Sequence, residues 1–396
     1  MHYTPRSELD QRIARLRAQL VSADCDGALI LQNADLFYLS GTAQQSHLYV
    51  PADGHPLLMT RKSHARARLE SALESVVPLR SPRQLLHLIA EHGLARPRRV
   101  AMELDVLPVN PFRMYQQLLP GVEIVDCSAA LRQLRAVKSA YELALIRRTA
   151  EQSEVVYRAV PDLLREGMTE LDLAGQLEAV SRRAGNQGVV HMRNWNSEIF
   201  YGHLLSGANA AVPSFMDAPT AGPGVNPAIA QGANDKPIRA GEPVLIDYLF
   251  ASEGYLVDQT RIYVIGELPA DLHDAHRAML AVQAAVVDAA RPGVDGAALW
   301  QLAAEVAANW GVQDHFMGYG DDRVRFVGHG VGLELDELPV LAEGQTTPLE
   351  EGMVVALEPK CIFPGRGVVG IENTHVVTPA GLERLTRLPD DVVSLS

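Results

Sequence analysis

Five side chains in the C-terminal part of the chain carry the donor chemistry of a metal site: Asp247, Asp258, His329, Glu358 and Glu372. Four are carboxylates and one is an imidazole, an oxygen-rich set suited to a pair of divalent ions such as Mn(II), Co(II) or Zn(II). Two such ions sharing bridging carboxylates activate water for hydrolysis. Each of the five falls in a strand-like or glycine-rich stretch, away from charged helix faces.

Strands are therefore needed to position them. Glu242 to Ala251 (EPVLIDYLFA) and Tyr255 to Gly266 (YLVDQTRIYVIG) are rich in β-branched and aromatic residues, as strands are. Ser252-Glu253-Gly254 supplies a tight turn between them. Folding about Ser252–Glu253 sets Asp247 opposite Asp258 on one face of a hairpin. Carboxylates held that close repel unless a cation separates them or one takes a proton. A pair of solvated aspartates would look the same in sequence, but the apolar neighbours Leu245, Ile246, Leu256 and Val257 argue against a wet face. The pattern then recurs. Glu358 follows Met353 to Leu357 (MVVAL), Glu372 lies within Gly367 to Val377 (GVVGIENTHVV), and the two are equidistant from Gly365 in the turn Pro364-Gly365-Arg366-Gly367. His329 sits in Gly328-His329-Gly330-Val331-Gly332, where missing side chains let backbones approach closely.

The order Asp247, Asp258 eleven residues later, GHGVG, Glu358-Pro359 and Ile371-Glu372 resembles the pita-bread metallopeptidases, the family of methionine aminopeptidase, aminopeptidase P and prolidase (Xaa-Pro dipeptidase). Val257 to Arg261 (VDQTR) is similar to the family's SD-x-TR strand, and Leu357-Glu358-Pro359 to its EP motif. Arg135, Lys138, Ser139 and Glu142 are similar to the R-x-x-K-S-x-x-E run at the start of the catalytic domain in the proline-directed branch. The resemblance covers nearly the whole chain, because the first 130 residues are similar to that branch's N-terminal domain.

The resemblance implies an α+β fold: a smaller α/β creatinase-type N-terminal domain at 1–130, a linker at 131–138, and a pita-bread catalytic domain, a curved antiparallel sheet with helices, at 139–396. It further implies two divalent metal ions per chain, Mn(II) foremost and Zn(II) or Co(II) as alternatives. Asp258 and Glu372 would bridge them, Asp247 would complete one site, and His329 and Glu358 the other. The implied reaction is hydrolysis of the bond before proline in Xaa-Pro dipeptides by a metal-bridging hydroxide. Glu358 would be the general base that carries the proton to the leaving nitrogen. A homodimer acting on small peptides is implied as well. An Xaa-Pro aminopeptidase is one alternative; a non-peptidase hydrolase or lyase of the same fold, ectoine hydrolase-like or creatinase-like, is another.

Four departures from the family pattern keep that last alternative open. The second His expected after GHGVGLEL is Asp336, and the upstream outer His falls at Ala230–Gln231. The Tyr expected four residues after the EP glutamate is Ile362, and the Arg before Ile-Glu is Gly370. Outer residues of this kind hold the substrate or the tetrahedral intermediate, and losing one oxyanion donor costs about 2.7–4 kcal/mol. Asp336, Lys360, Arg366 and His203 are the candidates to bind substrate in their place, with His191 a further one. His375, three residues beyond Glu372, is expected on the opposite face of its strand.

The rest of the sequence sets the frame. A length of 396 residues predicts two domains with a sizeable core, and 47% hydrophobic with 21% charged residues is ordinary globular composition. A formal charge of −13 argues against nucleic acid or an anionic membrane as partner. Cys25, Cys127 and Cys361 form neither a CxxC pair nor a disulfide framework. With no apolar run long enough for a signal or a span, they predict a cytoplasmic setting. Leu9, Ile13, Leu16 and Leu20 predict a first helix over 7–20, capped by Ser7-x-x-Asp10. GALIL, DLFYLSG and HLYVPADGHPLLMT read as strand-like. Helices are expected at 139–164 and 169–183, and Asp217 to Asp235 (DAPTAGPGVNPAIAQGAND) is one long loop.

Overall fold

In the computed structural model, which describes residues 2–396, Leu9, Ile13, Leu16 and Leu20 line the buried face of the helix Arg6–Ser22, as their spacing of three and four requires. The expected Ser7 cap is not used. The helix starts one residue earlier, behind Pro5 and without a side-chain cap, and Asp10 is taken by Arg6 Nε at 2.8 Å. DLFYLSG is a second departure. It belongs to the helix Asn33–Ser40, which Gln32 starts by accepting from Asp35 N and Gly41 ends at φ 77°.

The chain divides after Arg135 into two compact units. The first carries one mixed sheet of β1 (Gly27–Ile30), β2 (Ser46–Pro51), β3 (Leu57–Thr60), β4 (Ser75–Pro78), β5 (Arg99–Met102) and β6 (Glu123–Asp126), in the order β4-β3-β2-β1-β5-β6. Residues 131–138, expected as a linker, are largely helical. Ser128–Ala136 is a helix because Leu131 and Leu134 find buried places along it.

His47 on β2 is buried, with Nε2 2.7 Å from Tyr115 Oη and Nδ1 without a hydrogen-bond partner. Burial, helped by Arg61, pushes its pKa down from 6.5 to about 4. A depressed folded pKa stabilises the fold fully above the unfolded value and loses that contribution as pH falls toward the folded one. The stability gap between wild type and His47→Gln should therefore shrink by up to about 3 kcal/mol between pH 6.5 and pH 4. Denaturant unfolding across that range measures it, and a gap independent of pH would refute the neutral, buried imidazole.

The second unit opens with two helices whose starts are legible in sequence. Ala140–Leu163 has a Ser139/Glu142 capping box, and Glu170–Arg183 has a Thr169/Asp172 box. Four strands then form one sheet in the order β17-β9-β8-β7: β7 (Gly202–Ser206), β8 (Val244–Ser252), β9 (Tyr255–Ile265) and β17 (Val393–Leu395). A five-stranded sheet has the order β11-β10-β12-β15-β16, from β10 (Phe326–Val331), β11 (Leu335–Ala342), β12 (Val354–Leu357), β15 (Asn373–Thr378) and β16 (Gly381–Arg384). A separate ribbon pairs β13 (Lys360–Phe363) with β14 (Gly367–Gly370). All these pairings are antiparallel except β17 on β9. The helices Ala270–Ala289 and Gly296–Asn309 cover this β-structure through a continuous apolar core that includes Met279, Leu299, Leu341 and Val355.

The β8–β9 register differs from the expected one by two residues. Ser252 pairs with Tyr255, so the turn is Glu253–Gly254, both at positive φ, the conformation that two-residue hairpin loops favour. Asp247 consequently faces Thr260, and Asp258 faces Leu249. A shift of two keeps the face of every side chain, so both aspartates still project from the same side. The other side is covered by the helix Ala140–Leu163, whose Tyr157 hydroxyl donates to the carbonyls of Tyr248 and Gln259. Residues 213–243 contain no named helix or strand. Among the described residues no helix is long and apolar enough to cross a membrane.

Candidate metal centre

The β8–β9 hairpin presents Asp247, Asp258 and Thr260 on one face, and β7 sets His203 beside Asp247 in the same row. The second hairpin meets it edge-on. Its register is centred on Gly365, as equal spacing requires: Lys360 pairs with Gly370 and Leu357 with Asn373, so Glu358 and Glu372 face each other where the ladder breaks. A backbone bridge between Thr260 and Glu372 ties the hairpins together. His329 enters from β10, beside β12.

The result is a buried cluster. His329 Nε2 lies 3.5 Å from Glu358 Oε1, 3.8 Å from Glu372 Oε1 and 4.0 Å from Asp258 Oδ2. Donor atoms of Asp258, His329 and Glu372 all fall within 4.8 Å of one another, close enough to hold one ion. His329 Nδ1 is turned away, 3.3 Å from the Gly330 carbonyl and 3.5 Å from Asp336 Oδ1. That arrangement leaves Nε2 as the free ligand nitrogen. Burial opposes charge on this imidazole, but Asp336, Glu358 and Glu372 overcome it and raise its pKa.

The carboxylates divide in their electrostatics. Lys360 Nζ donates to Asp247 Oδ2 at 2.9 Å, Glu358 Oε2 at 2.7 Å and Glu372 Oε2 at 3.1 Å. Against the cost of burial it holds Asp247 below the usual carboxylate range, and the three carboxylates hold the ammonium well above its own. Burial, with Glu372 and Asp247 nearby, raises Asp258 strongly. Burial also outweighs Lys360 at Glu372, which is pushed up to about 8. Asp258 Oδ1 is buried without a hydrogen-bond partner. Four carboxylates facing one ammonium leave buried negative charge that a divalent ion would balance. The donor chemistry and the orphaned oxygen both fit an ion on Asp258, His329 and Glu372.

The candidate substrate-binding residues fare differently. Asp336 lines the same pocket at φ 60°, its carboxylate beside His329. His203 also lines it, buried, with Nε2 3.2 Å from Gln231 Oε1; burial lowers its pKa. Lys360 does not face substrate, because its amine turns into the carboxylate cluster where three acceptors attract it. Arg366 is not at the site: it makes a two-pronged ion pair with Asp271 on the surface, since the turn it occupies points outward. His191 is exposed and absent from the pocket lining. His375 is buried away from the cluster, Nδ1 2.9 Å from the Asn373 carbonyl.

Two supporting residues, one of them within the VDQTR stretch, carry no assigned role in the sequence reading. Thr260 Oγ1 donates to Glu372 Oε2 at 2.8 Å, and Thr374 Oγ1 exchanges hydrogen bonds with the Asp258 backbone. Thr260 was findable, since it lies two residues from Asp258 and so on the same face. Arg261, buried, donates to the carbonyls of Thr260, Glu372, Leu388 and Pro389 and fixes the segment between β14 and β15 that carries Glu372. Met192, Ile199, Met216, Ala218 and Phe326 give the pocket an apolar wall, two of them from the long loop region.

Comparison with known proteins bears on the family and the fold. Residues 144–379 match Metallopeptidase family M24, and residues 12–137 match the Creatinase/Prolidase N-terminal domain. The chain is 26% identical over 381 residues to an Xaa-Pro dipeptidase of Pyrococcus furiosus, covering 96% of this chain and 98% of that one. A solved Xaa-Pro dipeptidase from Bacillus anthracis superposes with a TM-score of 0.83 at 23% identity, covering 98% of this chain and 100% of the other. An X-Pro aminopeptidase from Thermotoga maritima superposes at 0.80 with 25% identity, covering 97% and 99%.

Proposed function

Because the chain belongs to metallopeptidase family M24 and carries its pita-bread fold, we propose that it hydrolyses the peptide bond before proline in Xaa-Pro dipeptides. The observation that carries this reading is the buried group of Asp258, His329 and Glu372 opening onto a pocket that Glu358 also lines. A bound divalent ion there would polarise the scissile carbonyl and lower the pKa of attacking water. Oxygen-rich donors favour Mn(II), with Zn(II) or Co(II) as alternatives.

The chain's own residues supply the rest. Glu358 is the general base. Lys360 fixes its Oε2 at 2.7 Å, so a carboxylate oxygen is held toward the pocket to take a proton from water and return it to the leaving nitrogen. Asp336 and the Gly330 carbonyl keep His329 in the tautomer that presents Nε2. His203 and Asp336, with Asp217 and Thr220, are the polar groups that can orient a small peptide against the apolar wall. The homodimeric, cytoplasmic setting implied by the family resemblance belongs to the same proposal.

Metal-stripped protein reloaded with Mn(II) should be tested on an Xaa-Pro dipeptide, its Xaa-Ala analogue and an Xaa-Pro-Xaa tripeptide. Cleavage confined to the Xaa-Pro dipeptide is expected. Cleavage of the tripeptide would move the assignment to an aminopeptidase, the name borne by the Thermotoga maritima relative. Inertness toward all three, with metal bound, would reject the peptidase reading.

A further inference from the structure

An ammonium has three protons to donate and accepts none, so Lys360 Nζ is saturated by the one oxygen it takes from each of Asp247, Glu358 and Glu372. The donor atoms on the other side of the cluster form a separate group. Glu372 turns Oε2 to the lysine and Oε1 toward His329 Nε2, and Asp258 adds its carboxylate there. Among the described residues, the set close enough to share an ion is Asp258, His329 and Glu372, and Asp247 is not in it. We propose that this chain holds a single divalent ion, on Asp258, His329 and Glu372, and that the ammonium of Lys360 fills the place of a second ion between Asp247, Glu358 and Glu372. The inference rests on the metal-dependent reading above and narrows its expected two ions to one.

The lysine is seated by the fold. Lys360 is 1% exposed, and its backbone is fixed on β13, where its carbonyl accepts from Met317 N at 2.9 Å. Its ladder partner is Gly370. A β-carbon at 370 would come within 2.9 Å of Lys360 Cγ, so the lysine stem lies over a position cleared of side chain. Reaching the three oxygens requires no departure of the strand from its pairing.

The chemistry is also self-consistent. Carboxylates shared between two ions hold them about 3.5–4 Å apart, and Glu372 here is shared in the same way between an ammonium and an ion site. The ammonium neutralises charge and aims Glu358, but it has no empty orbital for water, carbonyl or amine. A three-ligand ion with open positions is a sufficient hydrolytic centre. A substrate α-amine therefore has no second ion to bind.

The count of ions tests this directly. Full-length protein saturated with Mn(II), freed of excess ion and measured by elemental analysis should contain one ion per chain. Lys360→Gly should contain two, and Asp247→Asn should stay at one. Two ions in wild type overturn the inference and leave the metal-dependent reading intact; none in folded wild type overturns both. One ion in both wild type and Lys360→Gly removes the lysine from the explanation and so overturns it. If Lys360→Gly does not fold, wild type and Asp247→Asn decide, because loss of the ion from Asp247→Asn makes that carboxylate a ligand and defeats the assignment.

Discussion

Glu358→Gln should lower kcat on an Xaa-Pro dipeptide by about 10²–10⁴, the usual contribution of a positioned general base. Glutamine keeps the shape of the side chain, and its amide oxygen can still accept from Lys360, which reaches Glu358 Oε2 at 2.7 Å. It removes the proton-accepting charge. The donors on Asp258, His329 and Glu372 remain, so bound metal should persist in the variant while turnover collapses. Metal analysis beside single-substrate kinetics separates the two effects. Activity within tenfold of wild type would remove Glu358 from the proton-transfer step, and loss of metal in parallel with rate would make it a ligand first.

Asp258→Asn should act in opposite directions on the metal-free and metal-loaded protein. The carboxylate is buried, has an oxygen without a partner, and is raised strongly by burial and by Glu372 and Asp247. A neutral amide relieves that repulsion, so the metal-free variant should be no less stable than metal-free wild type. An ion present at a hundredfold excess over its Kd adds about 2.7 kcal/mol to a fold that binds it. The variant should lose that increment together with activity. Thermal unfolding with and without Mn(II) gives both numbers, and an undiminished metal-induced rise in Tm would exclude Asp258 as a ligand.

The sequence made the faces of the site readable more readily than its contacts. The turn at Glu253–Gly254 was misplaced by one position, which moved the register by two, yet period-two geometry kept Asp247 and Asp258 on one side. Glycine at 365 fixed the centre of the second hairpin, and Glu358 and Glu372 came opposite each other as counted. Lys360 could not be placed this way. Its backbone position follows from the strand, but its amine lies several bonds further on, and three acceptors from two hairpins decide where it goes. Arg366 has the same reach and went outward to Asp271, because the turn that carries it faces solvent. The Ser7 cap and the strand-like DLFYLSG failed for a related reason: in both, a short local pattern was outweighed by what neighbouring residues offered.

The pairing of Lys360 with Gly370 also limits what position 370 can carry. Any β-carbon placed at 370 meets the Pro359 carbonyl at 2.5 Å, Lys360 Cα at 2.7 Å and the lysine stem at 2.9 Å. The first two belong to the backbone, so a side chain at 370 requires the ribbon to shift whatever residue stands at 360. Lys360→Gly removes the stem contact and leaves the two backbone contacts in place. A centre with a side chain at 370 therefore requires a rearranged ribbon and not a lysine-free chain alone. An engineer rebuilding the site has to move that backbone as well as change position 360.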